Sequence, residues 1–297
     1  MVDKLKLFLS VRTNAILVGF LVIVLIGGFF VFQKFFAEDP NAIVEEVDLP
    51  FDAQGPYALL YPRRDGDALN LSLKRTGTYD KISYELAYAA NADQTDSKKS
   101  GEDFPLDGAI GIDRGVMGEV DTSKKKSEYE QEILFGTCSK NVCKYDQGVE
   151  NGTLTLHIRK GKKAYRMVTQ WKKQKPDVAL GKLSSGDEHF KYETSASREE
   201  LTVVGFTIIN ELTGVPKLPS SKEVLGKVYA LNVPLAKTFP KGKVMFELAQ
   251  NSPGGAKIAR FLDSKNDWEI LDTKIEGSKL SADAGGEGIY AILIDSK

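Results

Sequence analysis

The chain has 297 residues, room for about two domains, and carries 40 basic against 41 acidic side chains, two cysteines and 27 glycines. A balance that even, with no basic stripe, argues against a nucleic-acid binder. No fixed-period repeat or low-complexity tract is present.

The first feature is a basic tail, residues 1–14, with Lys4, Lys6 and Arg12 set against Asp3. Next comes AILVGFLVIVLIGGFFVF from Ala15 to Phe32, without one charge or strongly polar side chain. At ~1.5 Å per residue, roughly 18 residues reach about 27 Å, close to a hydrocarbon core. Extending the run to Phe36 adds Lys34, which can snorkel to head groups. Residues 15–36 are therefore expected to form a single transmembrane signal-anchor helix whose partner is the lipid bilayer. The basic flank predicts a cytoplasmic N-terminus. The rest then lies outside a cell membrane, extracellular or periplasmic. A cleaved signal peptide competes, but its apolar core is usually shorter, and Phe35 is a poor −3 residue before Ala37.

Residues 37–50 are acidic, hold two prolines and read as a stalk, with Ala42, Val44 and Val47 placed to start an edge strand. Short alternating segments follow at Tyr57–Tyr61, Ala68–Arg75 and Lys81–Ala89. Asn91 to Asp103 is polar and reads as a long loop. Ala109–Val120 is a strand broken by glycines, and Glu130–Thr137, Thr153–Arg159 and Ala164–Lys172 complete a first set. Their spacing predicts one β-sandwich over residues 51–175. Lys172 to Gly186, with a basic run, a proline, glycines and serines, breaks the pattern and predicts a linker over 176–186. A second sandwich is expected over 187–297, from Phe190–Thr194 and a buried central strand Leu201–Asn210 through Lys227–Val233, Lys243–Leu248, Lys257–Leu262, Trp268–Leu271 and Lys274–Leu280 to Gly288–Asp295.

Cys138 and Cys143 bracket Ser-Lys-Asn-Val, a spacing that suits a disulfide pinning a hairpin. Zinc would need two further soft ligands, and the C-x-x-C redox spacing is not met. His157 is expected to face solvent beside Thr155 and Arg159; His189 sits beside Asp187 and Glu188 with no motif partner. No nucleophile elbow, H-E-x-x-H, Walker A loop or G-x-G-x-x-G occurs, so no catalytic, metal or cofactor residue is assigned. Asp263 and Asp267 lack the order of a calcium loop and read as a turn. Lys124 to Lys126 read as a solvated loop, and Asn70 and Asn151 open sequon matches. A Lys74–Glu85 amide cross-link across neighbouring strands is a remote option.

The stretch KIARFLDSKNDWEILDTKIEGSKLSADAGGEGIYAILID, through Phe261, Trp268 and Gly288 to Ala291, resembles the last strands of immunoglobulin-like and fibronectin-like sandwiches of bacterial membrane-anchored surface proteins. The resemblance implies a fold, an all-β ectodomain of two tandem antiparallel immunoglobulin-like sandwiches behind one transmembrane helix, and no activity. No LPxTG signal accompanies it. The expected role is a non-enzymatic binding, adhesion or envelope-interaction module for a protein or glycan partner outside the cytoplasm. A structural spacer in an envelope assembly, or a surface hydrolase using paired carboxylates, are the alternatives.

Overall fold

The computed structural model describes residues 28, 45–91, 111–140, 142–263 and 265–296. The tail, the apolar run apart from Gly28, the stalk up to residue 44 and the polar stretch after Asn91 lie outside the described residues, so the expected anchor and long loop do too. Among the described residues no helix is long and apolar enough to cross a membrane.

Residues 46–297 form one compact unit built mostly of antiparallel sheet. The strands in chain order are β1 (Glu46–Asp48), β2 (Tyr57–Pro62), β3 (Ala68–Lys74), β4 (Lys81–Asn91), β5 (Gly111–Val120), β6 (Glu128–Leu134), β7 (Gly136–Ser139), β8 (Val142–Tyr145), β9 (Asn151–Lys160) and β10 (Lys163–Gln174). Then follow β11 (Lys182–Ser184), β12 (Phe190–Glu193), the helix α1 (Arg198–Val204), β13 (Thr207–Glu211), β14 (Lys222–Asn232), β15 (Gly242–Glu247), β16 (Lys257–Leu262), β17 (Asp267–Ile270), β18 (Lys274–Glu276), β19 (Lys279–Ala284) and β20 (Gly288–Asp295).

One long sheet runs β17-β16-β20-β14-β13-β10-β9-β4-β5, with β1 added in parallel to β10. A three-stranded sheet, β2-β3-β6, covers one face of it. A five-stranded sheet, β11-β12-β15-β19-β18, covers the other. The alternation of side chains along a strand makes this possible. In β13, Ile208 joins the core under the three-stranded sheet, with Leu71, Leu86, Leu156 and Trp171. Its neighbour Ile209 joins the core under the five-stranded sheet, with Phe190, Tyr229, Phe246 and Tyr290. β2 is apolar on both faces: Ala58 and Leu60 enter the first core, while Tyr57 and Leu59 pack with Ala230, Phe261 and Trp268 in a third.

Several sequence expectations need correction. Leu201–Asn210 is not one strand: Leu201 to Val204 belong to α1, and β13 begins at Thr207. Ser197 caps the helix by accepting from Glu200 N–H while the Glu200 carboxylate accepts from Ser197 N–H, a capping box that outweighs the local run of β-branched residues. The glycines of Ala109–Val120 do not break β5, which pairs along all its length with β4; Gly118 makes room for the Tyr84 ring. Glu130–Thr137 divides into β6 and β7, which lie in different sheets, at the buried Phe135 and at Gly136 with φ 136°. Lys274–Leu280 is a hairpin turning at Gly277, φ 64°. The 176–186 stretch contains β11, paired with β12, and the long sheet passes directly from β10 to β13. In the stalk, Val47 lies in β1 but is 60% exposed rather than in a core, and Ala42 and Val44 are outside the described residues.

Candidate functional site

Cys138 and Cys143 are directly opposed across the β7–β8 hairpin, with Cα atoms 4.0 Å apart, and are joined by a disulfide. His157 places Nδ1 2.9 Å from a Glu46 carboxylate oxygen at the solvent edge of β9, so it has a partner that the strand alternation alone does not reveal. His189 Nδ1 lies 3.0 Å from the Glu247 carbonyl. Among the described residues no group of acids, histidines and cysteines could hold a metal ion. Lys74 and Glu85 do not meet: β3 and β4 belong to different sheets, and Lys74 pairs with Glu128 at 3.0 Å. Asp263 and Asp267 flank the turn before Trp268, where the Asp267 carboxylate accepts from Trp268 N–H.

Two buried polar constructions flank the end of β10, one on each face. On the face toward the three-stranded sheet, Lys173 is 9% exposed and donates to the Gly66 carbonyl at 2.6 Å. Its ammonium lies 4.8 Å from the centroids of both the Phe135 and Phe206 rings. Burial pulls its pKa down to about 8, against the opposing pull of Asp67 and Asp65. On the other face Lys172 donates to Ser184 and Glu188.

Nearby, Asp187 gathers donors from Ser185 Oγ at 2.6 Å, Lys227 Nζ at 2.8 Å, Tyr229 Oη at 2.9 Å and His189 N–H at 3.2 Å. Lys227 also donates to Glu211 at 2.7 Å. Burial pushes the Asp187 carboxyl upward, but the bonds from Lys227, Ser185 and Tyr229 outweigh it and hold the group well below the carboxylate range. For Glu211 burial prevails over Lys227, and its pKa is raised. Two neighbouring acids pushed apart in this way are a pattern of acid–base sites. Here both carboxylates are tied to one lysine, and neither lines the clefts described next.

The best-formed cleft lies where the three-stranded sheet meets the β14–β20–β16 part of the long sheet. It encloses about 450 Å³ and is lined by Leu59, Tyr61, Val233, Leu235, Phe261 and Ile289, with Lys237 and Asp263 among the polar side chains present. Burial, with the negative Asp263 nearby, raises the Tyr61 phenol and keeps it a neutral donor. Leu235 is 61% exposed, on a loop that turns through Ala236 with φ 63°. A non-glycine residue in the left-handed region is uncommon and marks a loop whose shape is held by its surroundings. No sequence pattern announces this cleft. Its lining comes from β2, β14, β16 and β20, far apart in the chain, and the packing of one sheet on another brings them together.

No protein-family model and no characterised protein sequence matches the chain.

Proposed function

We propose that the protein is a membrane-anchored, extracytoplasmic binding module, without catalytic activity of its own, that engages an apolar segment of a partner protein through the Leu235 cleft. The observation that carries this reading is the cleft itself: about 450 Å³, mostly apolar, with a large aliphatic side chain left exposed at its lip. In this reading residues 15–36 hold the chain in the bilayer, and the two sheet pairs are two immunoglobulin-like sandwiches built back to back on the long sheet. The cleft sits where sandwich domains commonly place recognition, at strand ends and loops.

A photo-crosslinking residue at Leu235 in the full-length chain on intact cells tests it, with the same probe at exposed Val168 on β10 as control. One discrete adduct from position 235, absent from 168, is expected. Self-adducts only, or the same abundance-weighted neighbours from both positions, would overturn the binding reading in favour of a spacer.

The Asp187–Glu211 pair favours a second reading, a surface hydrolase. Hydrolysis of a glycoside or ester panel that is lost in Glu211→Gln would establish it; a panel left untouched by the parent chain would remove it.

A further inference from the structure

We infer that a second basin, on the opposite side of β16 from the apolar cleft, binds an oxyanion carried on a saccharide-sized ligand. This site is separate from the Leu235 cleft, and neither depends on the other.

The basin encloses about 900 Å³ between the ends of β12, β15 and β19 and the β16–β17 edge. Its floor is Arg260, only 5% exposed. A buried guanidinium ordinarily spends its donors on protein acceptors. Arg260 gives Nε, at 2.8 Å, and Nη2 to one acceptor, the Glu287 carbonyl. Among the described residues the ion-pair partner of Nη1 is Glu269, at 4.0 Å, beyond hydrogen-bond reach. Gly285 lies directly over this nitrogen, and a Cβ there would collide with it. A glycine at 285 therefore leaves Nη1 open to the basin.

The surrounding charges are not all available. Lys182, Glu193, Lys243 and Asp283 occupy successive strands in register and alternate in sign, so that row largely neutralises itself. Lys241 and Lys265 line the basin outside the row, and neither makes an ion pair among the described residues. One buried arginine nitrogen with two unpaired ammonium groups around it is the chemistry that receives a phosphate, sulfate or carboxylate. The volume falls in the range of small-ligand sites, well above what a bare ion fills. The Thr194 hydroxyl is spent on the Lys241 carbonyl and Ala196 N–H, which leaves the Ser195 side chain and the strand-end backbone in the basin for sugar hydroxyls.

Calorimetric titration of the purified full chain at low ionic strength tests this with three probes: inorganic phosphate, glucose 6-phosphate and glucose. The expected result is saturable binding of both phosphates, glucose 6-phosphate the tighter, and none of glucose. Lys241→Gln/Lys265→Gln, two surface changes that leave the fold intact, should weaken glucose 6-phosphate about fivefold. Gly285→Ala should weaken it further by covering Nη1. Equal affinity for the two phosphates would leave an oxyanion site and overturn its saccharide part. No binding of either phosphate, or binding unchanged in the double-lysine variant, would overturn the site altogether, whatever happens at Leu235.

Discussion

Replacing Lys173 by Met probes a direct conflict between burial and charge. The lysine is held near pKa 8 in the folded protein, against an ordinary value of 10.5. Below pH 8 both folded and unfolded chains carry its proton, and its contribution does not vary. Between about 8 and 10.5 the unfolded chain binds more protons than the folded one, so stability rises with pH. The full gap corresponds to ~3 kcal/mol, of which about 2 kcal/mol falls between pH 8 and 9.5. Buried tyrosines act oppositely. Burial raises the Tyr57 pKa to about 12 and pushes Tyr61, Tyr79, Tyr84, Tyr88, Tyr192, Tyr229 and Tyr290 up as well. The unfolded chain therefore loses phenolic protons first, and these phenols together overtake the lysine's rise at about pH 9. The parent protein should show a stability maximum between these two limbs. In Lys173→Met the rising limb disappears and the falling limb stays. Urea denaturation at half-unit steps from pH 7 to 10.5 measures both curves. A parent curve that is flat or falling between pH 8 and 9 would refute the argument, as would an equal rise in the Met variant.

Three further outcomes follow from local geometry. Cys138→Ser/Cys143→Ser opens only a short loop, so it should lower stability by at most ~2 kcal/mol, seen as a shift in the urea midpoint with the slope unchanged. The β7–β8 hairpin is a separate two-stranded sheet, so its amide protons should lose protection before any others do. Gly152→Ala would drive a methyl group into the Ala87 carbonyl and the Trp171 ring across β9. A loss of about 3 kcal/mol is expected, measured by thermal unfolding, and a loss under 1 kcal/mol would show that the β4–β9–β10 packing is looser than described.

How much was readable in the sequence depended on the range of the interaction. β16 and β20 match their expected limits residue for residue, because alternation and flanking turns are encoded within each segment. The boundaries that differ from the strand pattern occur where a short-range signal overrides it. Ser197 and Glu200 stand in capping-box spacing, and Gly136 and Gly277 adopt the positive φ that ends a strand. The polar sites were illegible for a different reason. Asp187 is joined to Lys227, Glu211 and Tyr229, and Arg260 to Glu287, by pairing order within the sheets, which no local pattern specifies. Lys173 read as part of a basic run, yet its neighbours in sequence, Lys172 and Gln174, face the other side of the strand.

The dual-faced β13 also bears on whether the two sheet pairs unfold independently. Ile208 and Ile209 are adjacent in the chain, fully buried, and serve opposite cores. If the halves were independent, Ile209→Ala would damage only the core around Phe190 and Tyr290. If β13 couples them, a cavity on either face should lower the stability of both, by roughly 1–4 kcal/mol for a buried Ile truncated to Ala. The chain's two tryptophans are placed to decide this, since Trp171 reports on the first core and Trp268 on the third. Each can be followed alone by its fluorescence after the other is changed to Phe. Coupling predicts coincident urea transitions at both tryptophans, displaced together by Ile209→Ala. Trp171 and Trp268 transitions that both stay in place in Ile209→Ala, while overall stability falls, would show that the continuous sheet joins the halves without making them cooperative.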